Sequence, residues 1–252
     1  MRRTWEAAYV LRQYLSSRDA QAFEPSNPLL RASSGPRTII ELGSGTGYAG
    51  LALARAPVLL RSDVLVLTDL PEVCPLLGRN LMNARQQSRA PQMPAKGKIA
   101  LPLQADVRVM SLPWGDLEAA HDAKRGLQGR HLTHIVASDL VYFPFLYAPL
   151  LRTLIALTSG AVAPIELVFA YKVRSLAREE PFWRAFGAYA DARFRHATEA
   201  RLQATGSRWS RSQLEDNRHA VTRRTRTTCT YLCVDAAPRA PCLSRQRMMT
   251  SS

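Results

Sequence analysis

The sequence predicts a doubly wound, mainly parallel α/β sheet, and three observations support this fold class. The apolar stretch Thr38–Leu42 runs into a glycine-rich turn and then a helix-like segment. A second apolar stretch, Val64–Thr68, follows one helix later. Two further runs, His131–Ser138 and Ile165–Tyr171, are continuously apolar at their centres, which is typical of strands covered on both faces. Strands that alternate with helices in this way predict βαβ units and a parallel sheet.

The remaining elements follow from periodicity and from turn residues. Ile99–Asp106 is predicted as the third strand, with Pro102 indicating an edge position, and Thr227–Val234 as a last strand. Helical spacing or helix-start signals predict six helices: Trp5–Leu15, Gly47–Arg55, Leu70–Ala84, part of Leu117–Gly129, Phe145–Thr158 and Glu179–Phe194. We expect one domain over residues 1–235 and a loose basic tail over residues 236–252.

The glycine-rich turn after the first strand is the chemically informative stretch. Gly43, Gly45 and Gly47 alternate with other residues, so the backbone can adopt positive φ angles and a ligand can approach it closely. The turn leads into a helix N-terminus, whose free N–H groups favour a polar or anionic ligand group. Asp69 ends the second strand 24 positions after Gly45, where βαβ nucleotide folds hold ribose hydroxyls with a carboxylate.

The same turn discriminates between cofactors. Residues 45–50 satisfy the dinucleotide pattern G-x-G-x-x-G, but by accident of composition. Glu41 stands directly before Leu42 and the G-x-G-x-G run, and this arrangement resembles motif I of class I S-adenosylmethionine methyltransferases. An acidic residue at that strand end can face the amino group or the sulfonium of S-adenosylmethionine.

Composition bounds the remaining possibilities. The chain has 252 residues, of which 46% are apolar, enough for one large domain with a core. There is no run of 18 apolar residues, so we expect no membrane span. The four cysteines lack paired metal spacing, so we expect no metal site, and they fit a reducing compartment. We expect a cytoplasmic protein, with the nucleus as a second location.

The formal net charge of +14 has two interpretations. One is a surface that binds nucleic acid or an acidic protein. The other is compositional, because all but four of the 34 basic residues are arginine. Half of the excess, +7, falls in residues 201–252, which carry few motifs, so the compositional interpretation is favoured.

Four segments, taken together and in this order, resemble one family. Residues 4–8 read T-W-E-A-A, residues 41–47 E-L-G-S-G-T-G, residues 112–115 L-P-W-G and residues 138–142 S-D-L-V-Y. The combination is similar to the family 16 (methyltransferase-like 21 type) protein lysine methyltransferases. The resemblance covers residues 4–195 and implies a seven-stranded, Rossmann-like sheet, S-adenosylmethionine as the cofactor and a protein substrate that presents a lysine.

The resemblance also implies site residues. Two of them form the ends of the D-x-x-Y motif near the methyl group and the incoming lysine: Asp139 and Tyr142. The others contact the cofactor: Trp5 at its methionine end, Glu41 at the strand end, Gly43, Ser44 and Gly45 in the loop, Asp69 at the ribose, Trp114 at the adenine and Ser138 after strand 4.

Each of the larger side chains also has a purely structural interpretation. Trp114 follows a proline in a turn, where an indole covers an adenine face, but it is equally suited to a core. Trp5 and Tyr142 also fit core positions, and Asp139 is placed to cap the following helix.

A lysine nucleophile must be neutral, although its reference pKa is about 10.4. A nearby carboxylate raises that pKa, so we expect Asp139 to capture and orient the ammonium rather than to deprotonate it alone. Tyr142 is expected to wall the channel.

Three other functions stay open at this stage. A nucleic-acid methyltransferase suits the charge, but Leu140 and Val141 replace the prolines that such enzymes often carry at this strand end. The second is a small-molecule methyltransferase, and the third is a scaffold that binds S-adenosylmethionine without turnover. We expect a monomer that acts on a protein, with nucleic acid disfavoured and no membrane partner.

Overall fold

The computed structural model describes residues 6–19, 23, 26–30, 35–89, 101–172, 174–175, 177–189 and 229–233. Their strands form one six-stranded sheet in the order β3-β2-β1-β4-β5-β6. All five neighbouring pairs are parallel. The strands are β1 Thr38–Leu42, β2 Val64–Asp69, β3 Asp106–Ser111, β4 His134–Ser138, β5 Glu166–Tyr171 and β6 Cys229–Cys233.

Six helices accompany the sheet in the described part of the chain. They are α1 Glu6–Ser16, α2 Tyr48–Ala54, α3 Cys74–Arg89, α4 Leu117–Arg125, α5 Tyr147–Thr158 and α6 177–189. Short 3₁₀ turns occupy Pro28–Leu30 and Pro144–Leu146. None of the described helices is long and apolar enough to cross a membrane.

The helices cover both faces of the sheet, which is why the central strands are apolar throughout. Alternate residues of β1 separate the two faces, because successive side chains of a strand point in opposite directions. Ile39 packs in a core with α1, α2 and α3. Ile40 packs in a second core with α4, α5 and α6. The predicted doubly wound parallel architecture is therefore present.

The third strand differs from its prediction. Ile99–Asp106 was expected, whereas the strand runs over Asp106–Ser111 at the edge of the sheet. The preceding segment is held by helices instead, since the Leu103 N–H donates to Ser88 Oγ and the Gln104 N–H to the Ala54 carbonyl. Arg108 interrupts the apolar pattern of the true strand, so the sequence did not indicate a strand there. In the structure its guanidinium is accommodated by a hydrogen bond to Asp106.

The strand count reaches six among the described residues, and the seven-strand count implied by the resemblance stays a prediction. Residues 236–252, predicted as a loose tail, lie outside the described residues. The other predicted elements are present, with ends that differ where they are described; their residues 5, 190–194, 227, 228 and 234 lie outside the described residues. For example, α3 begins at Cys74 rather than at Leu70, because residues 71–73 form a turn first.

Candidate functional site

A cavity of about 760 Å³ lies at the carboxyl ends of β1, β2 and β4, the edge where open α/β sheets bind ligands. It brings together nine residues that the sequence singled out: Glu41, Gly43, Ser44, Gly45, Asp69, Trp114, Ser138, Asp139 and Tyr142. The tenth, Trp5, lies outside the described residues, directly before α1. Their roles toward a ligand remain predictions, but their convergence on one cavity is a structural fact.

The glycine loop adopts the conformation that its sequence requires. Gly43, Gly45 and Gly47 have φ angles of 61°, 58° and 78°. Ser44 fastens the loop to β2, because its N–H donates to the Thr68 carbonyl at 2.9 Å and its Oγ accepts the Thr68 N–H at 3.1 Å. The loop is thus fixed before any ligand arrives.

Gly43 is also needed for space. A Cβ at this position would lie 2.7 Å from Leu140 Cδ2 and 3.3 Å from Trp114 Cζ2. The backbone therefore passes closely beneath the Trp114 indole. Trp114 itself is half-buried in a turn fixed by Gly115, whose φ is 88° and whose N–H donates to Thr153 Oγ1 at 2.8 Å. This arrangement places an aromatic surface against the glycine loop.

Asp69 binds the loop from the end of β2. Its Oδ2 accepts the Gly45 N–H at 2.6 Å, and its Oδ1 accepts the Leu70 N–H at 2.8 Å. An ionised carboxylate has roughly four acceptor sites. Two acceptor positions therefore remain for hydroxyl groups of a ligand.

Glu41 is the most perturbed acid of the cavity. Glu41 is 1% exposed, and this burial raises its pKa to about 7. The charge of Asp69 also raises the pKa, whereas hydrogen bonds from Ser44 and Gly50 lower it by less than burial raises it. Within the described residues, Oε2 has no hydrogen-bond partner. This oxygen is inaccessible and lies against Gly50 in the first turn of α2, so the carboxylate supports the glycine loop from beneath.

Asp139 combines backbone strain with burial. Its φ is 62°, an uncommon value outside glycine that Asp and Asn tolerate best. Its N–H donates to the Ala170 carbonyl at 2.7 Å, which ties β4 to β5 at this point. The residue is only 6% exposed, so its charge needs compensation.

Arg174 supplies that compensation. Its Nη1 donates to Asp139 Oδ1 at 2.8 Å and its Nη2 to Oδ2 at 2.6 Å, a bidentate pair. Arg174 also lines the cavity, and sequence reasoning missed it. The available signal was its position just after β5, at the same edge of the sheet as Asp139.

Tyr142 lies at the mouth of the cavity, 37% exposed, with its ring 4.7 Å from that of Phe143. Burial raises the pKa of its phenol, and the charges of Asp69 and Asp139 add to the rise. The hydroxyl therefore stays protonated and can donate a hydrogen bond near neutral pH.

The sequence also did not predict three contacts at the loop and at the start of α2. Asn80 of α3 donates from Nδ2 to the Thr46 carbonyl at 2.9 Å. Arg12 of α1 donates to the Tyr48 hydroxyl at 2.6 Å, and the ring of Tyr9 lies 4.8 Å from that of Tyr48. Helix α1 thus covers the segment that follows the glycines, next to the expected place of Trp5.

A parallel doubly wound sheet with a glycine loop after β1 and a carboxylate ending β2 defines the class of α/β enzymes that bind a nucleoside-containing cofactor at the sheet edge. Within that class, the chain belongs to the lysine methyltransferase family, whose sequence model matches residues 1–186. This match confirms the family predicted from the four sequence segments. It also agrees with the predicted class of enzyme, a methyltransferase.

Individual relatives are more distant. The chain is 28% identical over 150 residues to the protein-lysine N-methyltransferase EFM6 of Saccharomyces cerevisiae. That alignment covers 58% of this chain and 54% of EFM6, so the chain spans about half the length of this curated relative.

Two solved structures show a weak likeness. The CurJ carbon methyltransferase is 18% identical, with a TM-score of 0.37 over 60% of this chain and 34% of its own. The O-methyltransferase TomG of Streptomyces achromogenes, solved in complex with SAM, is 14% identical, with a TM-score of 0.29 over 66% of each chain. At such scores the likeness says nothing about individual residues.

The cavity residues fit S-adenosylmethionine. The acceptor positions left on Asp69 suit the two hydroxyls of a ribose. The Trp114 indole beside the Gly43 backbone suits a flat aromatic group.

Proposed function

We propose that this protein is a protein-lysine N-methyltransferase that uses S-adenosylmethionine. The observation that carries the proposal is one cavity that joins the glycine loop and Asp69 to Asp139 and Tyr142. The family match and the similarity to a yeast protein-lysine N-methyltransferase support the same reaction. The complete seven-stranded sheet of the class is part of this proposal.

In this proposal the β1 and β2 ends hold the cofactor. Asp69 accepts the ribose hydroxyls, the loop backbone faces the methionine end together with Glu41, and Trp114 covers the adenine. When bound, S-adenosylmethionine supplies an electrophilic methyl group on a sulfonium, and the electrons of the broken S–C bond stay on sulfur. The chain itself contributes binding and orientation rather than covalent chemistry.

The β4 end receives the lysine. Asp139 and Tyr142 are three positions apart just after β4, and both reach the same cavity. The phenol of Tyr142 stays protonated, so its hydroxyl can both donate and accept a hydrogen bond beside the amine. The lone pair of a neutral lysine forms the new N–C bond, and the proton that the lysine loses beforehand passes to water.

Methyl transfer into a cell lysate tests this function directly. Tritiated S-adenosylmethionine is incubated with the protein and lysate, and the products are treated with protease or nuclease. Label that protease releases and that mass spectrometry assigns to methyllysine is the expected result. Label released only by nuclease would establish a nucleic-acid substrate instead, and label in small molecules a third class.

Cofactor choice has its own test. Isothermal calorimetry is expected to show binding of S-adenosylhomocysteine and no heat with NAD. Binding of NAD without a response to S-adenosylhomocysteine would refute the proposal. Firm binding of S-adenosylhomocysteine with no methylated product in any lysate would establish a scaffold.

A further inference from the structure

The Asp139–Arg174 pair changes the electrostatics expected at the methyl-accepting end of the cavity. From sequence, Asp139 was a lone carboxylate that would attract a lysine ammonium. In the structure the Asp139 side chain is 2% exposed and both of its oxygens bind Arg174, whose side chain is 33% exposed. The carboxylate that an incoming lysine meets is therefore already neutralised.

Arg174 is held in this position from several directions. Its Nη1 also donates to the Lys172 carbonyl at 3.2 Å. Its backbone N–H and that of Ser175 donate to Glu179 Oε1, at 2.8 Å and 3.0 Å. Glu179 is buried at the start of α6, so the turn that carries Arg174 is anchored to a helix. The ion pair is thus part of the fold rather than a chance surface contact.

The other charges around the pair do not replace Arg174. Lys172 is engaged by Glu6 of α1, with Nζ 2.6 Å from Oε2. The charges of Asp69 and Asp139 raise the pKa of the Tyr142 phenol, and the charge of Arg174 lowers it. Glu41 and Asp69 add acidic groups to the cavity lining, in which Arg174 is the one cation among the described residues. Removing Arg174 would therefore leave a cavity of carboxylates.

That balance matters for a nucleophile that must be neutral. A carboxylate beside an amine raises the amine pKa by favouring the ammonium, whereas a nearby cation lowers it. An ammonium has no lone pair and cannot accept a methyl group. A cavity with an uncompensated Asp139 would bind lysine well in the form that does not react.

We propose that Arg174 is a charge-balancing positioning residue, which cancels the charge of Asp139 so that the site receives the substrate lysine as a neutral amine. This inference rests on the proposed function. It revises the expectation that Asp139 captures an ammonium: Asp139 orients the amine as a hydrogen-bond acceptor, and Arg174 keeps it from stabilising the protonated form.

Binding of a simple ammonium tests the charge balance without turnover. Butylamine is titrated into the protein with bound S-adenosylhomocysteine at pH 7.5, where it is an ammonium. Arg174→Gln is expected to bind it about tenfold more tightly than the parent protein, because Asp139 is no longer compensated. Arg174→Lys and the control Arg184→Gln, an exposed arginine of α6, are expected to leave its affinity unchanged. Equal affinity in Arg174→Gln would overturn the inference.

The pH dependence of turnover is the second arm. In Arg174→Gln, the rising limb of kcat against pH is expected to move up by about one unit, with lower turnover at neutral pH. Arg174→Lys should retain the parent pH profile. In the double variant Asp139→Asn/Arg174→Gln, the rising limb should return to the pH that it has in the parent protein. A uniform loss at every pH would indicate a merely structural contact, and higher turnover at neutral pH would show that Arg174 only blocks the site; either result overturns the inference.

The two proposals fail differently. If the parent protein binds S-adenosylhomocysteine and methylates lysine but the butylamine affinity and the pH limb are insensitive to Arg174, only the role of Arg174 is refuted. If the parent protein methylates no lysine, the proposed function is refuted, and tighter butylamine binding in Arg174→Gln would still confirm the charge balance.

Discussion

The two halves of the cavity are built on different principles. At the β1 and β2 ends, Asp69 is bound by backbone N–H groups of Gly45 and Leu70, and the loop has no salt bridge among the described residues. At the β4 and β5 ends, a strained aspartate is compensated by an arginine 35 positions away in sequence. One half is thus organised by backbone dipoles, and the other by a charge pair.

This difference shows how each half responds to change. Backbone donors are fixed by the chain path and cost little to preorganise. A buried ion pair is sensitive to loss of either partner, because the remaining charge is left uncompensated. The half at the β4 and β5 ends should therefore respond to substitution mainly through charge, and the half at the β1 and β2 ends mainly through conformation and burial.

The largest effect is expected from Asp139→Asn. The amide keeps the shape and tolerates the positive φ, but it leaves Arg174 without a counter-charge. Turnover should fall about 100-fold or more, as expected when a group that positions the nucleophile is lost. Affinity for S-adenosylhomocysteine should change less than tenfold. Mass-spectrometric quantification of methyllysine checks this, with Asp122→Asn on the exposed face of α4 as the control. Unchanged turnover would show that the motif is structural.

Glu41 should produce the clearest pH effect on stability. Its folded pKa of about 7 exceeds the ordinary value of 4.5, so the folded state binds the proton more tightly than the unfolded state. Stability should therefore fall as pH rises from 4.5 to 7, by at most about 3 kcal/mol. Urea unfolding at pH 5 and pH 8 checks this. Glu41→Gln should remove most of the difference, and a parent protein equally stable at both values would contradict the prediction.

Asp69→Ala should weaken cofactor binding by about 1.5–3 kcal/mol, the scale of charge-assisted hydrogen bonds. The variant also frees the Gly45 N–H, so the loop loses one of its ties. Asp106, which pairs with Arg108 at the opposite end of the neighbouring strand, is the matched control. Calorimetry with S-adenosylhomocysteine should show normal affinity in Asp106→Ala. Equal losses in both variants would place the effect in the sheet rather than in the site.

Two glycines give the smallest and most direct comparison. Gly43→Ala puts a Cβ against Leu140 at a positive φ, and should lower the free energy of unfolding by about 1–2 kcal/mol. Gly78 lies within α3 with no heavy atom within 4 Å of its Cβ position. Gly78→Ala should therefore stabilise the protein by about 0.5–1 kcal/mol. Thermal unfolding measures the stability of both variants. Changes of the same sign would refute the steric explanation of Gly43.

The accuracy of the sequence predictions followed the range of the interactions involved. The loop around Gly43 and the carboxylate of Asp69 were predictable because glycine conformation and strand ends are local properties. The third strand was placed several residues early. Arg108 broke its apolar run, and the side-chain pair that accommodates Arg108 with Asp106 is visible only in three dimensions.

The sequence by itself determined the alternation of strands and helices, the turn that only glycines permit, and the segments that mark the family. It also determined that Asp139 ends an apolar strand. Only the tertiary structure decided what faces Asp139, because the parallel pairing of β4 with β5 brings Arg174 to its carboxylate from 35 positions away. Burial, likewise a tertiary property, raised the pKa of Glu41 to about 7. Charge balance depends on which groups share a cavity, and no local pattern in the chain records that.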